Sequence, residues 1–250
     1  MMTFTNKMLT DVYNIRSENI FAFIIFTCYC FCETKSDKKE LRIFQGRDAE
    51  QGEFPYVVAI SREIQPVIRY VNLTSNSWSE SNIIRAIQYP RYVGHDKKGK
   101  VGVTYVSSDI GLIEIERTII SLLGKVSSVD FRTLYGQSVN AVGSGLIFFD
   151  GKVNDTLTFN KSLQVFEAMI SKCSNVMHPE GFCVARKCRK VATVCMGDSG
   201  GPVIHPTGII GVNSLGFNEK CNTEVTDLDV ITPTSYYINW IKYITSDRSL

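Results

Sequence analysis

Short apolar runs separated by polar segments make up most of the chain. Tyr56–Ile60, Val67–Val71 and Gly208–Gly216 are apolar runs of strand length. Such runs, bounded by turn-forming residues, predict β-strands. Near the end of the chain, apolar residues recur at the spacing of one helix face: Tyr237, Trp240, Ile241 and Ile244. We therefore predict an all-β protein with a terminal helix at about residues 234–245.

A different kind of apolar run lies near the start of the chain. Ile20–Cys32 holds 13 uncharged residues, which are too few to span a bilayer comfortably and are typical of a signal-peptide core. Cys30 and Cys32 are small residues directly ahead of Glu33. We predict a signal peptide at residues 1–32, cleaved before Glu33, and the alternative is an uncleaved signal-anchor.

Composition, charge and cysteine content narrow the class of protein. A length of 250 residues fits one large all-β domain or two small ones. The formal net charge of +2 gives no reason to expect nucleic acid or a polybasic membrane contact. Five of the 8 cysteines lie in the C-terminal half, which indicates a secreted, disulfide-bonded domain. Their spacing contains no paired C-x-x-C motifs of the zinc type, so we predict neither a metal nor a cofactor.

The segment Cys195–Pro202 carries the strongest chemical signal in the chain. Its serine, Ser199, follows an aspartate and precedes two glycines. Glycines let the backbone turn tightly and bring N–H groups close to a ligand, and two such groups aimed at one point stabilise an oxyanion. The octet resembles the nucleophile loop of the chymotrypsin-like serine proteases. The resemblance implies that Ser199 is the nucleophile and that the amides of Gly197 and Ser199 form the oxyanion hole.

The same resemblance extends over roughly residues 42–245 and implies a fold. The expected architecture is all-β, with two six-stranded antiparallel barrels of the chymotrypsin-like type followed by a C-terminal helix. It implies a short propeptide and a protease domain, divided as follows: propeptide 33–42, domain 43–245, N-terminal barrel about 43–135, C-terminal barrel about 136–232, terminal helix about 234–245. Between Ile60 and Val67, roughly twenty residues of the family pattern are absent. We therefore expect the N-terminal barrel to be incomplete.

Two further segments resemble functional parts of this family. Arg42 followed by Ile43 resembles the activation junction, where an activating protease cuts after the basic residue. The resemblance implies that the freed ammonium of Ile43 pairs with Asp198 and orders the nucleophile loop. Ser108–Ile113 resembles the segment whose aspartate orients the catalytic base, which assigns that role to Asp109.

The resemblance also assigns binding residues and disulfides. Thr193 matches the floor of the primary specificity pocket, and Asp229 matches a wall glycine, where it would place a carboxylate in the pocket. Ser214, Leu215 and Gly216 match the edge that pairs with the backbone of a protein or peptide substrate. The implied disulfides are Cys173–Cys183 and Cys195–Cys221, which leaves Cys188 either free or paired with an N-terminal cysteine.

One part of the family pattern is missing from the sequence. A serine hydroxyl is a poor nucleophile without an adjacent base, which in this family is a histidine. The chain has three histidines, His95, His178 and His205, and none stands at the family position. The first hypothesis is a secreted homologue that acts by binding, with no membrane contact once the leader is removed. The alternative is an active secreted endopeptidase whose sequence as written lacks an exon-sized segment. A β-barrel binding module outside the family leaves the octet unexplained.

Overall fold

The computed structural model describes fifteen stretches of the chain. They are residues 8–12, 23–26, 46–50, 52–60, 67–72, 77–96, 103–116, 123–143, 148–149, 152–153, 163–173, 179–186, 194, 198–215 and 228–246. Strands dominate these stretches, and a helix ends them. The strands, in chain order, are β1 (Met8–Val12), β2 (Phe23–Phe26), β3 (Arg47–Asp48), β4 (Val57–Ile60), β5 (Val67–Asn72), β6 (Ser77–Gln88), β7 (Val93–Asp96), β8 (Val103–Ser107), β9 (Gly111–Ile115), β10 (Ser138–Gly143), β11 (Phe148–Phe149), β12 (Lys152–Val153), β13 (Gln164–Ser171), β14 (Phe182–Arg186), β15 (Pro202–His205), β16 (Gly208–Leu215) and β17 (Asp229–Pro233).

Six strands form a closed antiparallel barrel in the order β1–β2–β9–β6–β5–β4. We expected this barrel to be incomplete, and it is closed instead. The physical reason is that β1 and β2 lie between β4 and β9, whose outer edges would otherwise have unpaired N–H and C=O groups. Both strands come from residues ahead of the predicted domain start at position 43. The first barrel therefore draws on chain that the sequence assigns to a leader.

The second half of the chain forms a seven-stranded antiparallel sheet in the order β10–β15–β16–β17–β14–β13–β3. β10 also pairs with β13, so six of these strands form a closed ring of pairings, and β3 lies outside this ring. Alternate residues of the strands point into one apolar core, as the period of two requires. The buried core residues include Phe131, Leu134, Val139, Ala141, Phe166, Ala168, Ile170, Phe182, Val184, Val194, Val203, Ile210 and Ile231.

The terminal helix packs where the two halves meet. A 3₁₀ turn, Ser235–Tyr237, leads into the helix α1, Ile238–Ser246. The structure thus replaces the first turn of the predicted helix with 3₁₀ geometry, because Tyr237 N–H donates to the carbonyl of Thr234 three residues back. Ile241 and Ile244 pack in one cluster with residues of β9 and β16. The ring of Tyr89 packs edge-on against Tyr237 and Trp240 at centroid distances of 4.9 and 5.2 Å.

Within the described stretches, no helix combines the length and the apolar character that crossing a membrane requires.

Candidate active site

A tight turn presents Ser199 at the start of β15. Gly201 N–H donates to the carbonyl of Asp198 at 3.0 Å, so Ser199 and Gly200 are the two central residues of the turn. Gly200 has φ of +88°, a left-handed conformation that glycine adopts without strain. A positive φ at the third turn residue explains why a glycine directly follows the serine. The side chain of Ser199 is left partly exposed.

The turn lies so close to β10 that side chains are excluded at two glycines. A Cβ on Gly201 would come within 2.2 Å of the carbonyl oxygen of Val142. A Cβ on Gly143 would come within 2.1 Å of the carboxylate of Asp198, which is fully buried. The absence of a side chain at Gly143 leaves room for Asp198 against β10, and the close approach at Gly201 explains the second glycine after the serine.

Asn213 of β16 fastens the turn from the other side. Its carbonyl accepts from Gly200 N–H and its own N–H donates to the carbonyl of Gly201, both at 2.8 Å. Its side-chain Nδ2 donates to the carbonyl of Asp198 at 3.3 Å and to that of Val142 at 3.4 Å. The sequence analysis missed this residue. An amide in the mostly apolar strand Gly208–Leu215 was the signal for it, because a buried polar group requires hydrogen-bond partners.

Ser199, Ser214 and Asp109 are connected through hydrogen bonds. The hydroxyl of Ser199 donates to the carbonyl of Ser214 at 3.4 Å. The hydroxyl of Ser214 donates to Asp109 Oδ2 at 2.6 Å. Asp109 is 0% exposed and Ser214 is 3% exposed. The sequence predicted Ser214 as part of a binding edge, and the structure places it between the nucleophile candidate and the carboxylate.

A second carboxylate holds the turn that carries Asp109. Ser108 has φ of +53°, a left-handed conformation that is uncommon for residues other than glycine. Its hydroxyl donates to Glu180 Oε2 at 3.0 Å, and the phenol of Tyr237 donates to the same oxygen at 2.8 Å. Burial raises the pKa of Tyr237, and the adjacent Glu180 carboxylate adds to this effect. This cluster could not be predicted from the sequence, because its members lie far apart in the chain.

His205 is the one histidine whose side chain lies within the described residues, and both its ring nitrogens are engaged. Nδ1 lies 3.2 Å from Thr207 N and 2.9 Å from Thr207 Oγ1. Nε2 lies 2.9 Å from Gln137 Oε1. Burial lowers the pKa of His205. The ring is thus held by residues other than Ser199 and Asp109. The side chain of His95 and all of His178 lie outside the described residues.

Besides Ser214, the structure describes two of the predicted binding residues, Leu215 and Asp229. Leu215 ends β16 and is partly exposed. Asp229 begins β17 and is buried, and its Oδ2 accepts from Val194 N–H at 3.1 Å. This contact places Asp229 against the backbone that directly follows position 193. The remaining predicted site residues lie outside the described residues: Arg42, Ile43, Thr193, Gly197 and Gly216.

A disulfide closes the loop between β13 and β14. Cys173 and Cys183 are joined with an S–S distance of 2.07 Å and a Cα–Cα distance of 5.0 Å, which is the pair that the family resemblance implies. Glu180 lies within this loop. Cys188, Cys195 and Cys221 lie outside the described residues. Among the described residues, no cluster of three or more His, Cys, Asp or Glu side chains is positioned to hold a metal ion.

Comparisons with known proteins agree with this fold. The family model described as Trypsin matches residues 43–241. The chain is 27% identical to human granzyme M over 176 residues, which cover 66% of this chain and 63% of that protein. The match therefore spans less than two thirds of the relative's length.

A solved structure supports the same architecture. Neuropsin, a serine protease expressed in the limbic system of mouse brain, superposes with a TM-score of 0.61 at 17% identity. The superposition covers 81% of this chain and all of that structure. With the family model matching most of the sequence, the chain belongs to the trypsin family of serine proteases.

Proposed function

We propose that this chain is a trypsin-family protein that binds an extended protein or peptide segment beside Ser199 without cleaving it. The observation that carries the proposal is the hydrogen bonding of Ser199. Its hydroxyl donates to the backbone carbonyl of Ser214, and the Ser214 hydroxyl donates to the buried carboxylate of Asp109. Among the described residues, no imidazole joins Ser199 to Asp109.

The chemistry of these contacts supports a loss of catalysis. A peptide carbonyl accepts a hydrogen bond from a serine, but it is far too weak a base to remove the proton during attack. Removing the histidine of a serine-protease triad lowers kcat by on the order of 10⁶. That factor corresponds to about 8 kcal/mol of transition-state stabilisation. The remaining oxyanion hole and binding contacts supply only about 10³ to 10⁴ over water.

His205 is an unsuitable replacement for the base. Its Nδ1 is hydrogen-bonded to Thr207 and its Nε2 to Gln137. Moving the ring toward Ser199 would break both contacts. In this proposal none of the three histidines acts as the base.

The proposed binding surface consists of the end of β16 and the pocket beside it. Ser214 and Leu215, with Gly216, pair with the backbone of the bound segment by β-strand addition. Thr193 forms the floor of the pocket and Asp229 supplies a carboxylate on its wall. The bond from Val194 N–H to Asp229 supports this arrangement, because it holds the carboxylate next to the chain that continues from Thr193.

The proposal includes activation by a second protease. Cleavage after Arg42 frees the ammonium of Ile43, which pairs with Asp198 and orders the loop of Gly197. The position of Asp198 supports this step, since Asp198 is the first residue of the turn that presents Ser199. The setting we propose is secreted and extracellular, where the Cys173–Cys183 disulfide and the predicted Cys195–Cys221 disulfide are stable.

A labelling experiment tests the proposal. Residues 38–42 are replaced by Asp-Asp-Asp-Asp-Lys, so that enteropeptidase frees Ile43, and the cut protein is treated with a fluorescent fluorophosphonate. We expect labelling no higher than that of the Ser199→Ala variant, and no hydrolysis of a mixed peptide library. An active trypsin-family enzyme, treated in parallel, is the positive control. Labelling of Ser199 at the level of that enzyme overturns the proposal.

A second candidate is an active endopeptidase whose sequence as written lacks a segment between Ile60 and Val67. The turn around Ser199 favours it, because Gly200 with its positive φ and Gly201 with its close approach to β10 keep the serine partly exposed in a tight turn, as an attacking nucleophile requires. Sequencing the transcript across the codons for residues 60–70 separates the two candidates. An additional segment with a histidine codon establishes the second candidate, and a continuous junction removes it.

A further inference from the structure

The closed first barrel combines two separate parts of the chain. β4, β5, β6 and β9 come from residues 57–115 and pair with one another in that order. β1 and β2 come from residues 8–26 and pair with each other. We call these two strands the N-terminal hairpin. Without the hairpin, β4 and β9 would be the two edges of an open four-stranded sheet.

The hairpin pairs with both of these edges at once. On one side, Leu9 lies opposite Val58, with paired neighbours before and after it. On the other side, Phe23–Phe26 lies opposite Gly111–Glu114 in continuous antiparallel register. The backbone groups of both edges therefore have partners, which is the condition for a sheet that does not recruit other chains.

The strands that border the hairpin also carry buried apolar residues. Val58 of β4 is 1% exposed, and Leu112 and Ile113 of β9 are 0% exposed. These residues stay buried only while a strand is paired on each side of β4 and of β9. Removing the hairpin would open the barrel wall next to these residues and expose apolar surface that destabilises the fold.

We propose that the gap between β4 and β9 is a binding site for two strands and that the chain's own residues 8–12 and 23–26 occupy it in the mature protein. The segment 23–26 lies inside the apolar run from which a cleaved leader is predicted. Retention of the hairpin and removal of residues 1–32 exclude each other in one mature molecule. The inference does not depend on whether Ser199 is active.

Cysteine pairs in the full 250-residue chain test the register directly. Opposed residues on antiparallel strands are close enough for a disulfide, whereas adjacent positions point to opposite faces of the sheet. Under mild oxidation, we expect the Leu9→Cys/Val58→Cys variant to yield a cross-linked peptide in a protease digest. The matched control, Leu9→Cys/Ala59→Cys, is expected to yield at least about ten-fold less. Equal yields, or none in either variant, overturn the proposal.

Proline substitutions give a second readout that does not depend on added cysteines. β2 lies between β1 and β9, so Ile24→Pro removes a ladder N–H, and we expect Tm to fall by about 10 °C. The control is His95→Pro in the separate two-stranded β7–β8 sheet, where we expect a fall of no more than about 4 °C. Equal shifts in the two variants overturn the proposal.

The mature N-terminus completes the test. We expect protein recovered from secreting cells, before any cleavage after Arg42, to retain residues 8–26, as measured by intact mass and N-terminal sequencing. A mature chain that begins at Glu33 overturns the inference. The fluorophosphonate experiment on the enteropeptidase-cut protein reports on Ser199 separately, so the failure of one proposal is distinguishable from the failure of the other.

Discussion

The turn around Ser199 and the wall of the first barrel differ in how far apart their components lie in the chain. The turn is held by hydrogen bonds within residues 198–201, and then by β10 and by Asn213 of β16. The barrel wall joins β4 to β9 through strands at 8–12 and 23–26. The site is thus specified mainly by a short sequence, whereas the wall depends on segments that carry no local sign of their pairing. We infer that chemistry is easier to identify from sequence than barrel closure.

The largest effect we expect comes from filling the close approach at the Ser199 turn. Gly201→Ala places a Cβ within 2.2 Å of the Val142 carbonyl, and we expect it to cost about 3 kcal/mol of unfolding free energy. Gly136→Ala is the control, because a Cβ there meets no atom within 4 Å and only its φ of +79° is unfavourable. We expect about 1 kcal/mol for the control. Urea denaturation measures both, and equal costs would show that packing against β10 is unimportant.

Removing the Cys173–Cys183 disulfide tests a local constraint in the second half. The loop is short, with a sequence separation of 10, and we expect Cys173→Ser/Cys183→Ser to lower the unfolding free energy by about 2–3 kcal/mol. Thermal unfolding with and without reductant measures it. Reductant should lower the Tm of the parent protein toward that of the variant, and a parent Tm that reductant leaves unchanged contradicts the prediction.

Breaking the Glu180 contact tests how the turn that carries Asp109 is held. Glu180→Ala leaves the hydroxyls of Ser108 and Tyr237 without their shared acceptor, and we expect a loss of about 2 kcal/mol. Tyr237→Phe removes one of the two bonds and should cost about 1 kcal/mol. Tyr236→Phe is the matched control, because Tyr236 is 44% exposed and we expect no measurable change. A similar loss in all three variants would contradict the assignment.

The smallest expected effect is a pH dependence from His205. Because burial lowers the pKa of His205 in the folded protein, the unfolded chain binds more protons as the pH falls. The contribution of His205 to stability is therefore complete above its unfolded pKa of about 6.5 and is lost as the pH falls through the folded value. We expect His205→Gln to show a weaker decrease in unfolding free energy between pH 7 and pH 5. An unchanged slope in urea denaturation would contradict this prediction.

Much of the site could be predicted because its signals are local. Gly200 and Gly201 directly follow Ser199 in the chain, and the structure explains them by one positive φ and by one close approach to β10. The positions of Asp109 and Ser214 followed from the resemblance of their segments to family segments. Asn213 was missed although it stood out as an amide in an apolar strand, since its partners lie 15 and 71 residues away.

The closure of the first barrel could not be predicted for a related reason. An apolar run of strand length has the same composition whether it enters a barrel or a translocation channel, so periodicity alone cannot separate the two fates. Glu180 illustrates the same limit for a polar group. Its two hydroxyl donors lie 72 and 57 residues away, and nothing next to it in the chain indicates either of them.

The order of the strands also sets the interval between the synthesis of β2 and the synthesis of its partner β9. β2 ends at Phe26 and its partner β9 begins at Gly111, so about 85 residues are made between them. At roughly 5–20 residues per second, the apolar β2 segment waits about 4–17 s before its barrel partner emerges from the ribosome. During that interval the segment is available to any factor that binds nascent apolar chain. Binding of the β2 segment by such a factor therefore competes with its pairing to β9. Slower translation between β2 and β9 favours binding by the factor.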